Sequence, residues 1–126
     1  MAFSHLHSTS VYVNDTDKAI DFYTNKLGFE LRQNIPMDPE GKTRWVEVAP
    51  PGAQTAIVLI KDYADWSPER VGQNTGLVLT PDDTRATCEA LIAKGVEFTE
   101  LPNEQPWGIQ AQFKDQDGNE YVVVGR

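Results

Sequence analysis

The chain has 126 residues, 40% of them hydrophobic, with three Trp, four Tyr and five Phe, which is the length and composition of one folded domain and excludes a disordered chain. Nineteen Asp and Glu against eleven Lys and Arg leave a net charge of −8, so the phosphate backbone of nucleic acid is not the expected partner. No apolar run reaches the roughly 18 residues that a membrane span needs. The opening residues hold no basic segment followed by an apolar one, and the single Cys88 forms no intrachain disulfide. A cytoplasmic protein without membrane or nucleic-acid partners is therefore expected, its charge serving solubility or suiting a neutral or cationic small molecule.

In chain order, residues 8–13 alternate as a strand, with Thr9, Val11 and Val13 on one face and Ser8, Ser10 and Tyr12 on the other. Asp15 is a good N-cap for a helix to about Lys26, striped by Ala19, Ile20, Tyr23 and Leu27 and ended by Gly28. A strand resumes at Phe29–Arg32, and the Pro- and Gly-containing stretch from Asn34 to Lys42 reads as a loop. Arg44–Val48 alternates again, with Trp45 and Glu47 on one face and Val46 and Val48 on the other. Pro50–Ala53 is a turn, Thr55–Ile60 is a strand apolar on both faces, and residues 62–74 read as a connector.

The pattern then restarts. Gly76–Leu79 is a strand, and Thr80-Pro-Asp-Asp opens a helix with Pro81 at its first position, running to about Lys94 and closed by Gly95. Val96–Phe98, Trp107–Lys114 and Glu120–Val124 are strands, the last two joined by a turn at Asp115–Asn119. Both halves read strand, helix, Gly and three strands, an internal duplication of a βαβββ module. Residues 1–126 thus form one domain, with module one at about 4–62, the connector at 62–74 and module two at 75–126.

Two such modules, together with Asp-Thr-Asp-Lys-Ala-Ile-Asp-Phe-Tyr-Thr-Asn-Lys-Leu-Gly-Phe at 15–29, Pro-Trp-Gly at 106–108 and Phe-Lys-Asp-Gln-Asp-Gly-Asn at 113–119, resemble the vicinal oxygen chelate superfamily. That group holds glyoxalases, bleomycin-resistance proteins and dioxygenases. The resemblance covers nearly the whole chain and speaks for the fold more than for the chemistry. It implies an α+β fold in which each module curls its sheet into half a cup, and a homodimer. Metal-dependent members hold an ion with four side chains inside the cup. By position these fall on Ser8, on Val58 (Leu59 if the register slips by one), on Gly76 and on Val122. None is an imidazole, carboxylate or thiolate, so the expectation is a member with no metal and no cofactor.

Other candidates are weaker. His5 and His7 share a strand face, but alternation from Val11 and Val13 puts that face under the helix, which favours a structural role over metal binding. The Asp115–Asn119 run has its Gly misplaced for a calcium loop and Arg126 at the twelfth position, so a β-turn is expected. Cys88 falls on the stripe of Thr84, Leu91 and Ile92 and reads as core.

The cup face offers rings beside polar and acidic groups: Ser8, Ser10, Tyr12, Trp45, Glu47, Val58, Gln110, Gln112 and Glu120, with Trp107, Trp66 and Tyr63 placed to swing over the rim. Rings that stack on a planar ligand, with Glu47 and Glu120 as charge partners, suit capture of an aromatic or cationic compound. The expected function is a metal-independent binding protein that sequesters such a natural product, as in antibiotic self-resistance, with no catalytic residue. The competing expectations are a glyoxalase-like lyase/isomerase or dioxygenase, using a divalent metal or Glu47 or Glu120 as base, and an accessory domain that has lost its ligand.

Overall fold

A computed structural model describes residues 2–126, in which the chain divides within the expected connector into two units, Met1–Val71 and Gly72–Arg126. The first unit holds β1 (Ser8–Tyr12), α1 (Thr16–Asp21) continued by a π-helical turn at Phe22–Lys26, β2 (Glu30–Pro36), β3 (Arg44–Ala49), β4 (Ala56–Ile60) and a 3₁₀ turn at Pro68–Arg70. Its sheet has the order β1-β4-β3-β2, with β1 parallel to β4. The second unit holds β5 (Asn74–Leu79), α2 (Thr84–Ala93), β6 (Glu97–Gln105), β7 (Gly108–Lys114) and β8 (Glu120–Gly125), in the order β5-β8-β7-β6, with β5 parallel to β8. The two topologies are the same, and the duplicated βαβββ pattern is the architecture of the chain. Among the described residues, no helix is long and apolar enough to cross a membrane.

Each sheet buries one face under its own helix. In the first unit Val11, Val13, Val46, Val48, Ile57 and Leu59 join Ala19, Phe22 and Tyr23 in the core. In the second, Ala111, Phe113, Tyr121 and Val123 join Cys88, Leu91 and Val96, and the Phe113 and Tyr121 rings stack at 5.3 Å. Burial raises the Cys88 thiol above its ordinary pKa, in keeping with a core residue. Gly28 and Gly95 follow the two helical segments in the left-handed region, at φ +75° and +87°, as a C′ residue should.

Four boundaries depart from the sequence reading. The first helix widens to a π-turn at Phe22–Lys26, Leu27 N–H donating to the Phe22 carbonyl at 3.1 Å. The extra residue brings Phe22 and Tyr23, neighbours in sequence, both into the core, while Ile20 and Leu27 are only half-buried. Strand β2 runs on through Pro36 into the expected loop, because it is an edge strand on which a residue without an N–H costs no ladder bond. Strand β6 likewise runs to Gln105, through Pro102, and absorbs two register shifts. Helix α2 starts at Thr84 rather than beside Pro81, because Asp83 is the cap, its carboxylate accepting Ala86 N–H at 3.0 Å.

Candidate functional site

Strand register defines the face of each sheet turned away from its helix. In the first unit one row crosses all four strands as Ser10, Val58, Glu47 and Gln33. In the second unit the equivalent row is Val78, Val122, Gln112 and Glu100. Val58 lies opposite Ser10, and Ser8 is opposite Ala56. Gly76 stands in a register break between Asn74 and Val78, at φ +72°, so Val78 rather than Gly76 faces Val122. At Ser8, Val58, Gly76 and Val122, the positions that the resemblance assigns to metal ligands, the chain presents one hydroxyl, two aliphatic side chains and a glycine. That donor set does not fit a divalent ion. Among the described residues, no three His, Cys, Asp or Glu side chains come together elsewhere as a metal cluster.

The face of the first unit is built around one pair. Alternation along β3 puts Trp45 and Glu47 on the same side, both half-buried, and the indole N–H donates to the carboxylate at 2.6 Å. The donor that a half-buried carboxylate requires is thus supplied from two residues away. Tyr12, at the end of β1, donates its hydroxyl to Asp65 at 2.7 Å, and Arg70 lies 3.4 Å from the other oxygen of that carboxylate. The hydrogen bond to Asp65, with burial adding to it, raises the Tyr12 phenol above its ordinary pKa, and the same bond lowers that of Asp65.

Trp66 does not swing free over a rim. Its N–H donates to the Val13 carbonyl at 2.9 Å, and Lys61 sits 4.0 Å above its ring. Tyr63 is half-buried, and its hydroxyl is buried with no hydrogen-bond partner among the described residues. Tyr12 and Trp66 therefore pin the segment after β4 onto β1. His5 and His7 lie exposed before β1, not beneath the helix, and the His7 carbonyl accepts Ala56 N–H at 3.0 Å.

The second unit carries a polar network that alternation does not reveal. Gln110 donates its amide to both oxygens of Glu100, at 3.2 and 3.4 Å, and Asn103 donates to one of them at 2.6 Å. Gln105 donates to the Asn103 side-chain oxygen at 2.6 Å, and Trp107 donates its indole N–H to Gln110 at 3.1 Å. Hydrogen bonds from Asn103, then from Gln110, lower the Glu100 carboxyl below its ordinary pKa. Glu100 follows Phe98 by two, and strict alternation would put both under α2. The bulge between them turns Glu100 to the open face, and only Pro102 hints in the sequence that this strand is irregular.

Trp107 shares the tip of the two-residue hairpin between β6 and β7 with Pro106 and is 61% exposed. The hairpin closes tightly: Gly108 has φ +131°, and a Cβ there would come within 2.7 Å of the Gly125 carbonyl oxygen. Glu120 pairs with Lys114, at the opposite end of β7. Six residues of strand separate Lys114 from Gly108, about 20 Å. Glu120 and Trp107 therefore do not flank one small ligand on this sheet, and the carboxylate linked to Trp107, through Gln110, is Glu100.

Two copies of a βαβββ unit, each with a sheet face turned away from its own helix and set with aromatic and amide groups, define a protein of the glyoxalase-like class. The chain belongs to the Glyoxalase/Bleomycin resistance protein/Dioxygenase superfamily, whose sequence model matches residues 5–123. It is 38% identical to the protein YetH of Bacillus subtilis (strain 168) over 116 residues, 92% of this chain and 93% of that protein. Among solved structures it is similar to TnmS3, an antibiotic binding protein from Streptomyces sp. CB03234, at 41% identity and TM-score 0.82, covering 99% of this chain and 98% of that one. A superfamily member from Sphaerobacter thermophilus DSM 20745 covers all of both chains at 36% identity and TM-score 0.86.

Proposed function

We propose that this protein is a metal-independent binding protein that takes a planar aromatic natural product against the sheet faces turned away from its helices and sequesters it, as in antibiotic self-resistance, acting as a homodimer in the cytoplasm. The observation that carries this reading is the state of its three indoles. The N–H of Trp45, of Trp66 and of Trp107 is each bonded within the protein. What the two sheet-face indoles offer a ligand is therefore ring surface rather than a hydrogen bond. Glu47 and Glu100 already accept from indole or amide donors, so a flat ring is the essential feature of the ligand and a positive charge an optional one. The similarity to an antibiotic binding protein supports the same reading.

The test is a tryptophan-fluorescence titration with riboflavin, a neutral flat ring, and proflavine, a cationic one, alongside elemental analysis of the purified protein. Saturable quenching is expected without stoichiometric metal, and Trp45→Ala should weaken binding about tenfold while the protein stays folded. Unchanged affinity in that variant, or binding abolished by chelator, would overturn the reading.

A further inference from the structure

Around Glu100 the hydrogen-bonding options are restricted by chemistry. A carboxylate only accepts, an indole only donates, and a primary amide does both from opposite ends. Gln110 sits between Glu100 and Trp107, its Nε2 3.2 Å from one carboxylate oxygen and its Oε1 3.1 Å from the indole nitrogen. With Glu100 ionised, the Gln110 amide must turn its NH₂ toward β6, and its carbonyl oxygen is then the end presented to Trp107. The opposite amide orientation would set oxygen against oxygen at one end and N–H against N–H at the other.

Glu100 is itself held. Asn103 donates to it at 2.6 Å and also reaches the backbone carbonyls of Leu101 at 2.9 Å and Gln110 at 3.1 Å. Asn103 can do so because β6 spends three steps, from Glu100 to Asn103, where β7 spends two, from Gln112 to Gln110. Gln105 fixes the remaining end of the Asn103 amide. The relay therefore runs from a bulged edge strand to a ring that is otherwise largely in solvent.

We propose that Glu100 is a positioning residue for Trp107: acting through Gln110, it fixes the orientation of an indole that the hairpin tip alone would leave free to rotate. A large exposed ring normally spreads over several rotamers, and holding it in one lowers the entropy cost of stacking a flat ligand upon it. The usefulness of that ring to a ligand rests on the proposed binding function; its orientation by Glu100 does not.

The experiment follows the three indole Nε1 protons by NMR in ¹⁵N-labelled protein, with Trp107→Phe identifying the signal of interest. Glu100→Ala should raise solvent exchange of the Trp107 indole proton about fivefold or more and shift its resonance, while the Trp45 and Trp66 signals stay in place. Gln110→Met, which cuts the relay at its centre and keeps side-chain volume, should reproduce the change. Glu100→Gln should restore most of the protection, since an amide oxygen can still accept from Gln110. An unchanged Trp107 signal in Glu100→Ala, a change shared equally by all three indoles, or no rescue by Gln would overturn the proposal. Riboflavin titration of Trp107→Ala separates the two readings, because unaltered affinity without a ring there defeats a binding role for it and leaves its positioning by Glu100 standing.

Discussion

Trp45 donates its indole N–H to Glu47 at 2.6 Å, from two positions back on the same face of β3. Each group is half-buried and each removes the other's need for a water partner. Glu47→Leu should therefore cost about 1–2 kcal/mol, the usual penalty for a donor left unpaired, whereas Glu47→Gln, which keeps an acceptor oxygen, should cost about 0.5 kcal/mol or less. Urea denaturation of the two variants measures the difference. Equal losses would mean that the contact contributes through its charge and not through the hydrogen bond.

Tyr12 and Asp65 tie the segment after β4 to the first strand. The phenol pKa is raised and the carboxyl pKa lowered, foremost by their shared hydrogen bond. For the phenol, the raised value means stability that is present below the ordinary tyrosine range near 10 and lost as pH climbs through the folded pKa. For Asp65 the sign is opposite, with stability present above the ordinary Asp range and lost as pH falls through the depressed value. Asp65→Ala, which removes the acceptor as well as the charge, should bring the Tyr12 titration back toward its ordinary range, read by ultraviolet difference spectra. Tyr63, raised by burial, is removed as background with Tyr63→Phe. No movement of the Tyr12 titration would show that burial, not Asp65, sets it.

Much of this architecture is legible in the residues, because the duplicated pattern depends on strong local signals. Asp15 caps the first helix, Gly28 and Gly95 end the two helices, and the alternation of Trp45, Val46, Glu47 and Val48 assigns the two faces of β3 without ambiguity. What is not legible lies where the period of two breaks. The shift between Leu31 and Gln33 and the two shifts of β6 each transfer later residues to the opposite face, whereas the break around Gly76 spends four steps of β5 against two of β8 and moves the register without changing the face. That is why Glu100 escapes a reading by alternation, and why Val78 rather than Gly76 comes opposite Val122. The roles of Tyr12 and Trp66 depend on where a 13-residue connector folds back, for which no periodic signal exists.

The turn between β2 and β3 predicts a narrow acid transition. Asp38 accepts from the N–H groups of Lys42 and Thr43, at 2.9 and 2.7 Å, and from the Thr43 hydroxyl at 2.7 Å. These donors, the Thr43 side chain first, lower its carboxyl pKa to about 2. A depressed carboxyl contributes order that is complete above its unfolded value near 4 and lost as pH falls through about 2. Protection of Lys42 and Thr43 from hydrogen exchange, taken relative to the intrinsic rate at each pH, should therefore hold at pH 4 and fall only toward pH 2, whereas in Asp38→Ala it should be absent at every pH. Protection that survives in the variant would place the order of this turn in its backbone alone.

The turn between β7 and β8 carries two buried polar side chains, Asp115 and Asn119. Asn119 is 2% exposed, and its side chain accepts Gly72 N–H at 2.8 Å while donating to Asp115 at 2.8 Å. Asp115, 6% exposed, uses its other oxygen to accept the N–H groups of Asp117 and Asn119, both at 2.9 Å. With both carboxylate oxygens committed to N–H donors, the Asp-rich run is a closed turn and not a calcium loop. Asn119→Ala leaves the Gly72 N–H and an Asp115 oxygen without these partners and should cost about 2–3 kcal/mol by urea denaturation. Asn119→Asp keeps an acceptor for Gly72 but sets a second carboxylate against the first. It should cost at least as much at neutral pH and recover part of that loss as the pair takes up a proton on acidification. Millimolar calcium should leave the midpoint of the unmodified protein where it is. A calcium-dependent rise, or a loss in Asn119→Asp that is the same at pH 5 and pH 8, would contradict this account of the turn.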